Sequence, residues 1–141
     1  MSQLTPTALA LTGFIAWTLA LLIVMEANRT RLVIAGKVAA NGFTPDNANL
    51  SPFMQRLARA HANCIESLPI FGGLMLVALL TGRSAVTDPL AYAFLAARVV
   101  QSSIHLASLS AAAVSARFTA FAVQMVIGVV WVVGLLMSAG S

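Results

Sequence analysis

Four long apolar runs constrain this chain more than any other feature. A helix needs roughly 20 mostly apolar residues to cross about 30 Å of hydrocarbon. Segments at about 8–25, 60–80, 89–109 and 118–137 each meet that requirement. In lipid a backbone must satisfy its own polar groups, so runs of this length are expected to be helices. The expected fold class is therefore all-α, an integral membrane four-helix bundle. One domain is expected over residues 1–141, because 141 residues do not support two independent cores.

Composition agrees. Sixty per cent of the residues are hydrophobic and 9% charged, whereas soluble domains carry about a quarter charged residues. The amino terminus, MSQLTPTALA, has no basic leader region, and its apolar run ends in MEANRTR rather than at a small-residue cleavage site. It reads as a retained membrane helix. No nucleic-acid motif accompanies the net charge of +4, so no nucleic-acid partner is expected. No metal is expected. The single cysteine, Cys64, excludes an internal disulfide and reads as a small buried hydrophobe.

The connections differ in length. Residues 26–51 are polar and hold Gly42, Pro45, Asp46 and several Asn, all turn formers. TGRSAVTD and the stretch around SAAAVSA are short, which predicts antiparallel neighbours. Ser51 and Pro52 form an N-cap and first-turn pair, and Pro69 is expected to bend the helix that contains it. Arg29, Arg31, Lys37, Arg56 and Arg59 flank the first loop and Arg117 the third, against Arg83 alone on the other side. That bias predicts loops one and three in the cytoplasm and both termini outside.

The polar residues in the apolar runs converge. At 100° per residue, Arg56, Arg59, Asn63 and Glu66 share an arc of about 80° on the second helix. Arg98, Gln101 and His105 share about 60° on the third. A rise of 1.5 Å per residue puts Arg98, Gln101, Glu66, His105 and Asn63 about 14 to 26 Å from the outer ends. Arg117 begins the fourth helix on the cytoplasmic side. Arg98 near mid-membrane costs about 2.5–3.5 kcal/mol on insertion scales, and Glu66 is its expected counter-ion. The surplus of cation over anion predicts an anionic ligand. Helix three is rich in Ala and Ser, which favours close packing and a central position.

The segment RLARAHANCIESLPIF, residues 56–71, resembles the helix-two signature of the MAPEG superfamily, the membrane-associated proteins in eicosanoid and glutathione metabolism. The matching residues are Arg59, Ala60, Asn63, Glu66 and Pro69, and the Asn63–Cys64 pair is similar to that of leukotriene C synthase-like members. The resemblance implies a homotrimer of four-helix subunits with glutathione as co-substrate between subunits. It implies that Arg59, Asn63 and Glu66 hold the carboxylate and amino ends of glutathione. Arg98, Gln101 and His105 fall at the family's helix-three site positions, and Arg117 at the arginine that polarises the thiol. Where the family often has tyrosines on helix three, this chain has Gln101 and His105, and Ser67 replaces an aromatic residue seen in some members. Arg29, Arg31 and Lys37 are all open as the basic residue from the end of helix one.

The expected function is a glutathione-dependent membrane transferase or peroxidase acting on small lipophilic electrophiles or hydroperoxides, with membrane lipid as a further partner. Two alternatives remain: a non-catalytic lipid-binding scaffold of the lipoxygenase-activating type, and a small multidrug transporter using an intramembrane glutamate.

Overall fold

The computed structural model describes residues 3–139. Residues 1, 2, 140 and 141, the ends expected outside the membrane, lie beyond the described residues. Four helices span α1 (Pro6–Ile34), α2 (Pro52–Leu80), α3 (Ser84–Ala107) and α4 (Ala111–Ser138), each long and apolar enough to cross a membrane. Among the described residues there is no strand. The all-helical, four-span architecture expected from the apolar runs is present.

Local chemistry sets the ends. Thr5 caps α1 by accepting from the Ala8 N–H at 3.1 Å, with Pro6 in the first turn. Ser51 caps α2 by accepting from the Met54 N–H at 3.3 Å, as its pairing with Pro52 predicts. Ser110 caps α4 through the Ala113 N–H at 3.1 Å. At the other ends, Gly36 (φ 72°) and Gly82 (φ 70°) adopt the left-handed turn that lets the chain leave α1 and α2. Lys37 N–H then bonds Leu32 O, and Arg83 N–H bonds Ala78 O, which satisfies carbonyls otherwise orphaned at a helix end.

Three boundaries differ from expectation. Residues 26–34 belong to α1, which at 29 residues extends about 43 Å and outruns the hydrocarbon. Pro89 lies inside α3 rather than at its start. SAAAVSA is mostly helical, so the link between α3 and α4 shrinks to residues 108–110. In each case hydropathy marks where lipid contact stops, while the hydrogen-bond ladder continues into polar sequence. Around Pro69, where a bend was expected, α2 passes through a π-helical turn at Leu68–Gly72. Proline has no N–H to give, and an inserted residue accommodates its ring.

Helix α3 packs against each of the other three. Its Phe94 is the centre of an aromatic core, with ring centroids 5.5 Å from Phe14, 4.9 Å from Phe71 and 5.5 Å from Trp131. Tilted pairs of this kind contribute about 0.5–1.5 kcal/mol each beyond area burial. A Cβ on Gly128 would meet Phe71 Cε1 at 2.8 Å, so glycine sets how closely α4 approaches this core. At one end of the bundle Thr7 of α1 is tied to α3. Its N–H and hydroxyl reach Asp88 Oδ1 at 3.0 and 2.5 Å, and the hydroxyl lies 2.6 Å from that of Thr87.

At the opposite end loop one is clasped. Asn47 is buried with φ 55°. Its Oδ1 accepts from Arg29 Nη2 at 2.6 Å and Nε at 3.1 Å, and its Nδ2 donates to Met54 O at 2.7 Å. One side chain thus joins the loop to α1 and α2. Arg29 also pairs with Glu26 at 2.9 Å, the one ion pair among the described residues.

Candidate functional site

A cavity of about 500 Å³ opens at the loop-one end between α2, α3 and α4. Helix α2 supplies Arg59, Ala62, Asn63 and Glu66, α3 supplies Gln101 and His105, and α4 supplies Val114, Arg117, Phe118 and Phe121. Loop one adds Asp46. Six of the seven residues singled out from the sequence therefore line one space. The 3.6-residue period on α2 brings Arg59, Asn63 and Glu66 to one stripe, and Gln101 and His105 are one turn apart on α3.

Arg98 is the seventh, and it stands behind the wall. It is buried, and its guanidinium donates to Asn63 Oδ1 at 2.6 Å and to Ser67 Oγ at 2.7 Å, with Phe14 beneath it at 5.5 Å. The expected Arg98–Glu66 ion pair is not formed. Asn63 and Ser67 are one turn apart and meet Arg98, while Glu66 projects from an exposed flank of α2 into the cavity. Ser67 is thereby a ligand of the buried arginine.

A line of amides supports the cavity floor. Asn63 Oδ1 also faces Gln101 Nε2 at 3.4 Å, and Gln101 Oε1 accepts from Gln124 Nε2 at 2.8 Å. Because a guanidinium can only donate, Asn63 must turn its oxygen to Arg98, which leaves its NH₂ for the cavity. Gln124, fully buried on α4, also donates to Ala120 O at 3.1 Å. In the sequence it lies within an apolar run, and a lone amide within FAVQMVIGVVW is the signal that marks it. Asp46, a turn former by sequence, also lines the cavity, and its local sequence carries no signal of that.

Among the described residues, Arg59, Glu66, His105 and Arg117 have no hydrogen-bond or ion-pair partner, and His105 Nε2 is a buried nitrogen without one. The charges that act on His105 are those of Arg117, Arg59 and Arg56. Arg56 itself is drawn away from the cavity, donating to Leu106 O at 2.8 Å near the end of α3. None of Arg29, Arg31 and Lys37 lines the cavity: Arg29 holds the loop clasp, and Arg31 donates to Asn28 Oδ1 at 3.0 Å. Cys64 is buried as expected, its Sγ 3.5 Å from Ser102 Oγ. No three of His, Cys, Asp and Glu come together as metal ligands among the described residues.

A second space of about 610 Å³ adjoins the first. It runs between α2 and α4 and is lined by Ile70, Phe71, Leu74, Met125, Gly128, Val129, Val132 and Val133. Asn63, Glu66 and Phe121 line both spaces. A charged chamber thus meets an apolar groove at Glu66, where a polar and an apolar reactant could lie side by side.

Searches of curated proteins and of solved structures each return no significant match. The family comparison is positive: the sequence profile of the MAPEG family matches residues 7–137, nearly the whole described chain, and includes every residue of both spaces. With four membrane-length helices and this match, the chain belongs to the MAPEG family, a family of membrane four-helix bundles.

Proposed function

We propose that this protein is a glutathione-dependent membrane enzyme that conjugates or reduces lipophilic electrophiles or hydroperoxides. MAPEG members use glutathione, and the family includes transferases and peroxidases as well as members without enzymatic activity. The observation that carries the reading is the junction at Glu66, where a cavity holding unpartnered charges opens into an apolar groove. Glutathione brings two carboxylates, an ammonium and a thiol to the cavity, and the groove receives the apolar co-substrate from lipid.

In this reading Arg59, Asn63 and Glu66 hold the ends of the tripeptide, Gln101 and His105 line its path, and Arg98 acts through Asn63. Arg117 stabilises the thiolate. A free thiol has a pKa near 8.5, and a neighbouring cation lowers it. The thiolate attacks the electrophilic carbon, forming a carbon–sulfur bond as the leaving group departs with its electron pair. With a hydroperoxide, it attacks the peroxide oxygen and releases the alcohol, and a second glutathione reduces the sulfenic acid formed, giving the disulfide and water. Holding both reactants at one boundary lowers the barrier by orientation. The protein is further proposed to assemble as a homotrimer with the cavity facing the cytoplasm.

The test is glutathione binding to the purified protein, followed by turnover of an aryl halide and of a lipid hydroperoxide. Binding with turnover of either supports the reading. Lipid binding without glutathione binding or turnover supports the scaffold instead.

A further inference from the structure

With Arg98 withdrawn behind Asn63 and Asp46 brought in from loop one, the cavity is lined by two arginines, Arg59 and Arg117, and two acids, Asp46 and Glu66. This differs from the cation surplus expected from the helices alone. The floor carries no charge: Asn63 and Gln101 close it with amides, and what it can bind depends on which way those amides point. Each amide holds an acceptor oxygen and a donor NH₂, so its neighbours decide which of the two faces the cavity.

Both ends of the amide line impose the same direction. At one end the Arg98 guanidinium can only donate, so Asn63 gives it Oδ1 at 2.6 Å. Gln101 reaches that oxygen with Nε2, though at 3.4 Å. At the other end the Ala120 carbonyl can only accept, so Gln124 turns Nε2 toward it at 3.1 Å. The same Nε2 donates to Gln101 Oε1 at 2.8 Å. Gln101 is thus held mainly by Gln124, through the shorter of its two contacts. Its oxygen is taken up inside the protein, and its NH₂ lies on the Asn63 side. Both N–H bonds of Asn63 Nδ2 and one of Gln101 Nε2 are left without a protein partner among the described residues.

Gln124 itself lines neither space. Arg117, Phe121 and Gln124 recur at spacings of four and three along one stripe of α4. The first two line the cavity, while Gln124, fully buried, lies behind them. Nor does the amide serve its own burial, since its Oε1 is buried without a partner, a cost that an apolar side chain of the same length would avoid. We propose that Gln124 is a positioning residue, holding the Gln101 oxygen so that the floor presents N–H donors, and no acceptor, to an acceptor oxygen of the bound thiol peptide. Without it, Gln101 Oε1 would lack a donor and would turn toward the cavity, where it repels that oxygen. This rests on the glutathione reading.

The experiment is calorimetric titration of the full-length protein in detergent with glutathione, on wild type, Gln124→Met, Gln101→Met and the double variant. The melting temperature of each is measured without ligand. Methionine keeps the length and approximate volume of glutamine, so Gln124→Met is expected to fold. It should bind glutathione about fivefold more weakly, the size of one hydrogen bond, with no fall in melting temperature. In the Gln101→Met background, Gln124→Met should change the affinity no further. An unchanged affinity in Gln124→Met overturns the assignment. A lowered melting temperature, or an equal loss of affinity in the Gln101→Met background, would make Gln124 a packing residue and overturns it as well. If wild type binds no glutathione, the glutathione reading itself fails and takes this inference with it.

Discussion

The Arg98 guanidinium on α3 donates to the side-chain oxygen of Asn63 on α2 across 2.6 Å, and the second contact at 2.7 Å goes to Ser67, one turn farther along the same helix. A cation at this depth is therefore solvated by an amide, a hydroxyl and the face of Phe14 rather than by a carboxylate. The arrangement leaves Glu66 unpaired at the cavity. It also fixes which way Asn63 faces.

Coupling should follow those contacts. Hydrogen bonds to charged groups contribute about 1.5–3 kcal/mol, and contacting residues couple by about 0.5–3 kcal/mol in double-mutant cycles. Asn63→Ala and Arg98→Met should each lower thermal stability in detergent, and the double variant should lose less than the sum. Glu66→Gln with Arg98→Met should be additive. Coupling to Glu66 and none to Asn63 would contradict the geometry.

At the far end of the bundle, Asp88 accepts both the N–H and the hydroxyl of the buried Thr7. Asp88→Ala removes the one oxygen that accepts from both donors of Thr7 in the first turn of α1, which should cost about 1–2 kcal/mol. The expected readout is a lowered melting temperature with glutathione affinity unchanged, since Asp88 lines neither the cavity nor the groove. An unaltered melting temperature would show that the clasp contributes nothing.

What could be read in advance follows from what is local. Apolar runs announce the helices because lipid demands them, and Ser51 followed by Pro52 announces a helix start through the chemistry of two neighbours. The azimuths of Arg59, Asn63 and Glu66 are a property of one helix, and all three do line one cavity. The partner of Arg98 is not such a property. It depends on which part of the α2 stripe meets α3, and Asn63 and Ser67 lie there while Glu66 lies to one side. Asp46 is less legible still. It reaches the cavity only because Asn47, in a left-handed turn, is held by Arg29, which lies 18 residues earlier in the sequence.

The charge bias gives a topology test. With loop one in the cytoplasm, a cysteine at Ala40 should be labelled only from that side, and one at Thr81, between α2 and α3, only from the other. Both positions are exposed, and the native Cys64 is buried, so background labelling should be low. Labelling of both from the same face would sink the four-span arrangement.

The groove offers a steric test. A Cβ on Gly128 would lie 2.8 Å from Phe71 Cε1, and both residues line the groove. Gly128→Ala must push the Phe71 ring, at a cost of about 1–3 kcal/mol as in other overpacked cores. Turnover of long-chain hydroperoxides should fall more than that of a compact aryl halide. Equal losses for both would mean that the groove does not hold the lipid substrate.

Arg117 carries the chemical prediction. It lines the cavity from the second turn of α4, has no hydrogen-bond or ion-pair partner among the described residues, and acts electrostatically on His105 across the cavity. Arg59 shares the cavity but comes from α2 rather than α4. If Arg117 stabilises the thiolate, Arg117→Ala should raise the pKa of bound glutathione and cut turnover at neutral pH about a hundredfold, the usual cost of one well-placed electrostatic stabiliser. Binding should change little. Arg59→Ala should instead weaken binding and leave the thiol pKa near its wild-type value. The thiolate is followed by its ultraviolet absorbance during a pH titration of the complex. A raised thiol pKa moves the rise of the rate–pH curve to higher pH, so Arg117→Ala should regain part of its activity as pH increases. The same thiol pKa and turnover in Arg117→Ala as in wild type would remove Arg117 from the chemistry and leave His105, with its unpartnered Nε2, as the next group to test.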